Sequence, residues 1–204
     1  MAKTHSSGYN LIAPFYDDGV GVLFGKGIFD AQMHFISEIP PNSKVLILGG
    51  GSGWLLVELL KRTSPLEVCY VDASEKMIEL ARRKTQEQVE FICGTEEDIP
   101  NHSFDFIITN FYVDGFSYPI LKERINYISK FRKAGAKWIV TDFVETGKKK
   151  HSRILYFTHL FFRILIKHPN KKLVDWQGAF RDQGLRSDNQ KDFNQGFIKT
   201  AVYS

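Results

Sequence analysis

The stretch from Ser43 to Leu60, SKVLILGGGSGWLLVELL, permits few folds. An apolar run from Val45 to Leu48 breaks off at Gly49-Gly50-Gly51-Ser52-Gly53, and a second apolar run with helical spacing begins at once. The pattern predicts a buried parallel strand, a glycine loop and a helix. Glycines at this turn let the backbone approach a ligand where a Cβ would collide. The helix starting near Gly53 turns free N–H groups toward whatever sits there.

Two common ligands do not suit the loop. A dinucleotide fingerprint needs a glycine where this chain has Trp54. A phosphate-binding P-loop needs Gly-Lys-Ser/Thr after the glycines, and that run is absent. What remains is G-x-G-x-G after a strand, which also describes an ordinary turn. Asp72 adds the second constraint. Val68-Cys69-Tyr70-Val71 reads as another buried strand, and Asp72 closes it. A carboxylate about 20 residues past the glycines, at a strand's carboxyl end, suits the hydroxyl pair of a ribose.

The rest of the core repeats the alternation. Ile28, Gln32, Phe35, Ile36 and Ile39 recur at helical spacing up to Pro40-Pro41, which predicts a helix stopped by proline. Strands are predicted at Glu67–Val71, Val89–Cys93, Phe104–Thr109 and Ala136–Phe143. Helices are predicted from Gly53 to about Arg62, from Ser74 as N-cap, and over Leu121, Ile125 and Ile128. Trp176–Gln183 reads as a short helix closed by Gly184, and Leu185–Asn194 and Phe197–Tyr203 as two joined strands. The fold class is therefore α/β, with a parallel sheet covered on both faces. Ligands of such sheets lie beyond the strands' carboxyl ends, which collects Gly49–Gly53, Asp72, Gly94–Glu96, Asn110 and Asp142 on one rim.

Composition excludes several classes. The 43% hydrophobic and 25% charged content is that of a soluble globular domain. Cys69 and Cys93 both fall in predicted buried strands and read as small core residues in a reducing compartment rather than a disulfide. The six histidines have no ligand spacing, so no metal is expected. MAKTHSSGYN has no apolar signal region, and a cytoplasmic location is expected. The net charge of +4 is concentrated: Thr146–Val174 holds eight Lys/Arg and no Asp or Glu. No nucleic-acid partner is expected from one such patch.

That segment departs from the alternation. A basic run, Lys148–Lys150, leads into an aromatic-rich predicted helix from about Ser152 to Lys167, then Pro169. Ser152, Tyr156, His159, Arg163 and Lys167 share one stripe of it. Its apolar run is too short and interrupted to span a bilayer. A core helix, a lid over the site and a membrane-surface helix touching lipid through residues 148–172 all suit it.

VLILGGGSGW, VCYVDASEKMIELARRK, VEFICGTEEDIPNHSFDFIITNF, KWIVTDF and the closing GFIKTAVYS together resemble the class I S-adenosylmethionine-dependent methyltransferases, in particular small bacterial members of the type 11/12 group. The resemblance runs over nearly the whole chain in the family's order. It implies a Rossmann-like, mostly parallel seven-stranded sheet with helices on both faces and a C-terminal antiparallel hairpin. It implies one domain: residues 1–42 as an N-terminal lid and helix, 43–145 as cofactor-binding core, 146–172 as a basic, aromatic insertion, and 173–204 as the last helix and hairpin. Tyr9 and Tyr16 in YNLIAPFYDD would either touch the ligand or staple the lid to the core.

The implied cofactor is S-adenosylmethionine. Gly49, Gly50, Gly51 and Gly53 match its glycine loop, and Asp72 with Ala73 the ribose site. Gly94, Thr95 and Glu96 follow the strand where the family binds the adenine edge, and Asn110 stands beside the sulfonium and the acceptor. Met77 would lie against adenine, although its periodicity also suits a core methionine. Two positions depart from the family's pattern: Ile47 and Thr95 stand where acidic cofactor contacts are usual.

Methyl transfer from a sulfonium is an in-line displacement, so alignment and exclusion of water supply much of the catalysis. A general base is needed only where the acceptor must shed a proton early. Tyr112, Asp114, Asp142 and His159 are the candidate acceptor-side residues. The expected substrate is a small molecule, apolar and carrying a negative group. The alternative is a binding or scaffolding domain that keeps the fold and has lost the cofactor.

Overall fold

Period-two burial on both sides of the first strand sets the architecture. In β1 (Lys44–Leu48), Val45 and Ile47 face one apolar layer while Leu46 and Leu48 face the other. Such a strand is stable only with helices on both faces. The structure, a computed structural model, describes residues 25–148, His151 and residues 173–204.

Before β1 come α1 (Lys26–Met33) and a 3₁₀ turn (Ile36–Glu38). The core then alternates through α2 (Trp54–Arg62), β2 (Glu67–Asp72), α3 (Glu75–Lys84), β3 (Val89–Cys93), β4 (Phe104–Asn110), α4 (Tyr118–Ser129) and β5 (Arg132–Phe143). It closes with α5 (Trp176–Asp182), β6 (Ser187–Phe193) and β7 (Ile198–Tyr203). The seven strands form one sheet in the order β3-β2-β1-β4-β5-β7-β6. All pairings through β5 are parallel, whereas β7 runs antiparallel to both β5 and β6. This is the Rossmann-like sheet with an antiparallel C-terminal hairpin that the sequence implied.

One face carries Leu46, Leu48, Ile107, Trp138 and Val140 against Leu121, Ile125 and Ile128 of α4 and Ala179 and Phe180 of α5. The Trp138 indole donates to Thr109 Oγ1 at 2.9 Å, so its polar edge is satisfied inside that layer. The other face carries Val45, Ile47, Tyr70, Ile108 and Ile139 against Leu55, Leu56 and Leu59 of α2 and Ile78 and Ala81 of α3. Each such leucine or isoleucine contributes about 1.5–3 kcal/mol on burial. The strand order reverses between β1 and β4, which opens a crevice beyond their carboxyl ends.

Several local expectations need correction. The first helix does not run to Pro40. It stops at Met33, because Ile28 and Ala31 bury in a cluster with Phe143 and Phe197 while Phe35, Ile36 and Ile39 bury against α2 and the sheet. One straight helix would not serve both directions, and the 3₁₀ turn re-aims the second set. Cys93 is exposed, because β3 is the sheet's edge strand and Cys93 its last residue. Cys69 is buried, and burial pushes its thiol up to about 12, which keeps it protonated and inert. β5 begins at Arg132 rather than Ala136, paired there with Phe104.

Candidate cofactor site at the carboxyl edge of the sheet

The chain after β1 turns back over the end of β2. Gly49 and Gly50 both donate to the Val71 carbonyl, at 2.9 and 3.3 Å, and Gly51 donates to Asp72 Oδ2 at 2.8 Å. Tyr70 supports the turn from below, its hydroxyl donating to the Gly51 carbonyl at 2.9 Å. Gly51 has φ 66, and a Cβ built there would meet nothing among the described residues within 4 Å. Its glycine is required by the left-handed backbone and faces open space where a ligand can approach. Gly49 is crowded instead: a Cβ there would stand 2.7 Å from Cδ2 of Tyr112.

Asp72 is half-buried at the end of β2. Its second oxygen, Oδ1, accepts from the Ser74 amide at 2.8 Å. Burial raises its pKa, opposed by these two backbone N–H donors. Each carboxylate oxygen still has a second lone pair, so both can accept a hydroxyl. Ala73 is exposed beside it. Ser74 caps α3 by accepting from the Met77 amide at 3.2 Å, and Met77 is buried beneath.

After β3, Thr95 caps a one-turn 3₁₀ helix (Glu96–Asp98), accepting from the Glu97 amide at 3.3 Å, while its own amide donates to Asp98 Oδ2 at 2.8 Å. Asp98 also lies against Gly94. Glu96 turns inward and is only 2% exposed. Its Oε2 accepts from the Tyr112 hydroxyl at 2.8 Å, and its Oε1 pairs with the guanidinium of Arg124 on α4. Burial first, then the neighbouring Glu96 charge, drives the Tyr112 pKa well above its ordinary value, so the phenol stays neutral and donates.

Between these groups stands the end of β4. Asn110 is 9% exposed, and neither its Oδ1 nor its Nδ2 has a hydrogen-bond partner among the described residues. Phe111 follows at φ 51, a left-handed conformation that costs an aromatic residue about 1–2 kcal/mol. It is held there by its amide on the Thr141 carbonyl at 2.7 Å and its ring on Phe143, centroids 4.9 Å apart. This bend carries Tyr112 back over Gly49.

Asp142, next to last in β5, is wholly buried. It accepts three backbone amides: Val113 at 3.0 Å, Asp114 at 3.2 Å and Phe143 at 2.7 Å. Burial, reinforced by Asp114, pushes its carboxyl well above the usual range. It thereby fastens the turn Val113–Gly115. His159 and Arg163, the basic run beyond Lys148, and Tyr9 and Tyr16 lie outside the described residues.

The structure therefore brings Gly49, Gly50, Gly51, Gly53, Asp72, Gly94, Thr95, Glu96, Asn110, Tyr112 and Asp142 to one end of the sheet. Tyr70 and Arg124 belong to the same arrangement and were not picked out from the sequence. Ile47 is 1% exposed within an apolar row shared with Ile108 and Ile139, so it faces packing and not the crevice. Among the described residues no cluster suits a metal ion, and no helix is long and apolar enough to cross a membrane.

Residues 45–143 match the family described as a methyltransferase domain. That match covers just under half of the chain, and the resemblance it supports implies S-adenosylmethionine as the cofactor. It is 27% identical over 159 residues to the carboxy-S-adenosyl-L-methionine synthase of Nautilia profundicola, covering 76% of this chain and 64% of that protein. It is 34% identical over 112 residues to the demethylmenaquinone methyltransferase of Thermotoga maritima, covering 53% of this chain and 46% of that protein. The alignments thus span less than two thirds of these relatives' lengths. The solved DhpI–SAH complex shares the fold, with a TM-score of 0.74 at 15% identity over 100% of this chain and 96% of that one.

The residues present fit such a cofactor. Gly51 opens onto free space, Asp72 keeps two lone pairs for ribose hydroxyls, and Asn110 presents an unspent amide.

Proposed function

We propose that this chain binds S-adenosylmethionine at the rim described above and transfers its methyl group to a small molecule that is apolar and carries a negative group. The observation that carries the reading is the Gly51–Asp72 hydrogen bond, which joins the glycine loop to the carboxylate suited to a ribose. When bound, the cofactor supplies an electrophilic methyl on a sulfonium, whose sulfur keeps the bonding pair as the methyl leaves. The chain's part is to bind and align. Asp72 holds the ribose, the Gly49–Gly53 turn lets the backbone come close, and the Tyr112 ring closes the wall beside Gly49. The rim carboxylates Glu96 and Asp142 are committed to protein partners, which suits an acceptor already anionic that needs no base. The name of the demethylmenaquinone relative points to an apolar acceptor of this kind.

Isothermal titration with S-adenosylmethionine and S-adenosylhomocysteine tests the cofactor, with micromolar binding expected. Methyl transfer to a panel of quinol, long-chain carboxylate and purely polar acceptors tests the substrate class. Turnover confined to the polar set overturns it.

A second reading has its own support. Thr95 spends its hydroxyl on capping and Glu96 faces inward, so neither side chain offers an acidic contact to an adenine edge. A binding domain without catalysis follows if no S-adenosylmethionine binding is found at millimolar ligand.

A further inference from the structure

Glu96, Glu97 and Asp98 stand in a row after Gly94-Thr95, and the protein turns all three to its own use. Glu96 is buried, with Oε2 on the Tyr112 hydroxyl and Oε1 on the Arg124 guanidinium. Glu97 meets the same guanidinium from the surface at 2.9 Å. Asp98 reaches back along the loop, where its Oδ2 accepts the Thr95 amide at 2.8 Å and the Thr95 hydroxyl at 3.4 Å. The Thr95 oxygen in turn accepts the Glu97 amide at 3.3 Å. Of its two lone pairs one remains, and it sits on an uncharged atom.

This loop lies where a base would fall. Asp72 is the register partner of Cys93, and the Gly94 amide donates to the Asp72 carbonyl at 2.9 Å. The loop is thus fixed beside the carboxylate suited to a ribose. On the other side of Asp72 the Gly49–Gly51 turn closes in, bonded to Val71 and Asp72. A purine carried on that ribose extends over Gly94 and Thr95. Its 6-amino group is a hydrogen-bond donor, and only an ionised acceptor holds such a donor strongly. Turning Glu96 outward would strand the buried Tyr112 phenol, and drawing Asp98 away would uncap the 3₁₀ turn.

Resting on the cofactor reading above, we infer that this site does not select its cofactor by the purine 6-amino group, and that Thr95 sets this tolerance. A carboxylate in its place would require an amino group; the engaged hydroxyl leaves the 6-position unread. Affinity then rests on the ribose and the groups beyond it. Cofactors altered at the purine 6-position are bound nearly as well as the parent compound.

The test compares S-adenosylhomocysteine with its 6-deamino analogue, in which hydrogen replaces the amino group and every ring nitrogen is kept. By calorimetric titration the wild-type chain is expected to bind the two within about fivefold, against the roughly 10- to 100-fold that a hydrogen bond to a charged group supplies. Thr95→Asp retains a capping oxygen and adds a charge, so a preference of at least about tenfold for the amino ligand is expected to appear. Thr95→Asn caps as well without the charge and is expected to keep the wild-type ratio, which separates charge from capping. Thermal unfolding checks each variant. Where Thr95→Asp does not fold beside Asp98, it is combined with Asp98→Asn. A wild-type preference above about fivefold overturns the inference, since a charged acceptor then reads the amino group. An unchanged ratio in Thr95→Asp also overturns it, since the base then lies elsewhere. Failure of the wild-type chain to bind S-adenosylhomocysteine at all overturns the cofactor reading instead, and this inference with it.

Discussion

The Gly51 amide donates to Asp72 Oδ2 at 2.8 Å, so the turn after β1 and the end of β2 form one unit. The carboxylate that suits the ribose also holds the loop, which couples ligand affinity to local structure.

Asp72→Ala is accordingly expected to act on both. Two backbone amides lose their acceptor, which costs about 1–3 kcal/mol of stability. S-adenosylmethionine affinity falls at least tenfold, about 1.4 kcal/mol. Urea denaturation and calorimetric titration measure the two separately. A destabilised protein with unaltered affinity rejects the ribose role.

The same carboxylate gives opposite pH dependences for binding and folding. Burial raises its pKa in the free protein. Ribose hydroxyls donate to the ionised form, so cofactor affinity is lost as pH falls through that raised value, beginning above the ordinary aspartate value of about 3.9. Folding has the reverse sign: the folded state holds this proton more tightly than the unfolded chain. Its contribution to stability therefore declines as pH rises from the ordinary value through the raised one. Titrations between about pH 4 and pH 8 should show this loss of affinity, and Asp72→Asn should flatten it.

Arg124 neutralises a carboxylate that is otherwise inside the protein. Arg124→Met is expected to cost about 2–3 kcal/mol, less than a fully enclosed pair because the guanidinium reaches solvent. Adding Glu96→Gln should recover most of that loss, since the uncompensated charge is removed. A double-mutant cycle by chemical denaturation reads the coupling, and simple additivity contradicts it.

Asp142 is expected to matter for the fold before it matters for chemistry. Asp142→Ala orphans three amides in a buried turn, and a loss of about 2–4 kcal/mol should follow. Where the variant remains folded at low temperature, S-adenosylhomocysteine binding should persist. A stable variant that has lost only methyl transfer would instead make Asp142 a participant in the reaction.

The framework was legible because its signals are local. A strand that ends in glycines, an Asp closing the next strand and a Ser at a helix start all declare themselves within a few residues. The pairing of Glu96 with Tyr112 and Arg124 does not, because it joins three elements that only the folded sheet brings together. For the same reason Glu96 reads in sequence as a rim ligand, and its inward turn becomes visible only in three dimensions. Cys93 was misjudged because an apolar run does not reveal which strand will stand at the edge. The break after Met33 was hidden because its apolar spacing continues unbroken while the surfaces it must reach diverge.

Phe111 bears on the kinetics of this rim. Its left-handed backbone is pinned by the Thr141 carbonyl on one side and the Phe143 ring on the other. The residues flanking it, Asn110 and Tyr112, are thus set before any ligand arrives, and the ordering entropy of that corner is spent in folding, leaving little for the binding step. Such a corner behaves as a rigid template. Affinity changes produced by substitution there are therefore expected in the dissociation rate, with the association rate left close to that of the parent chain.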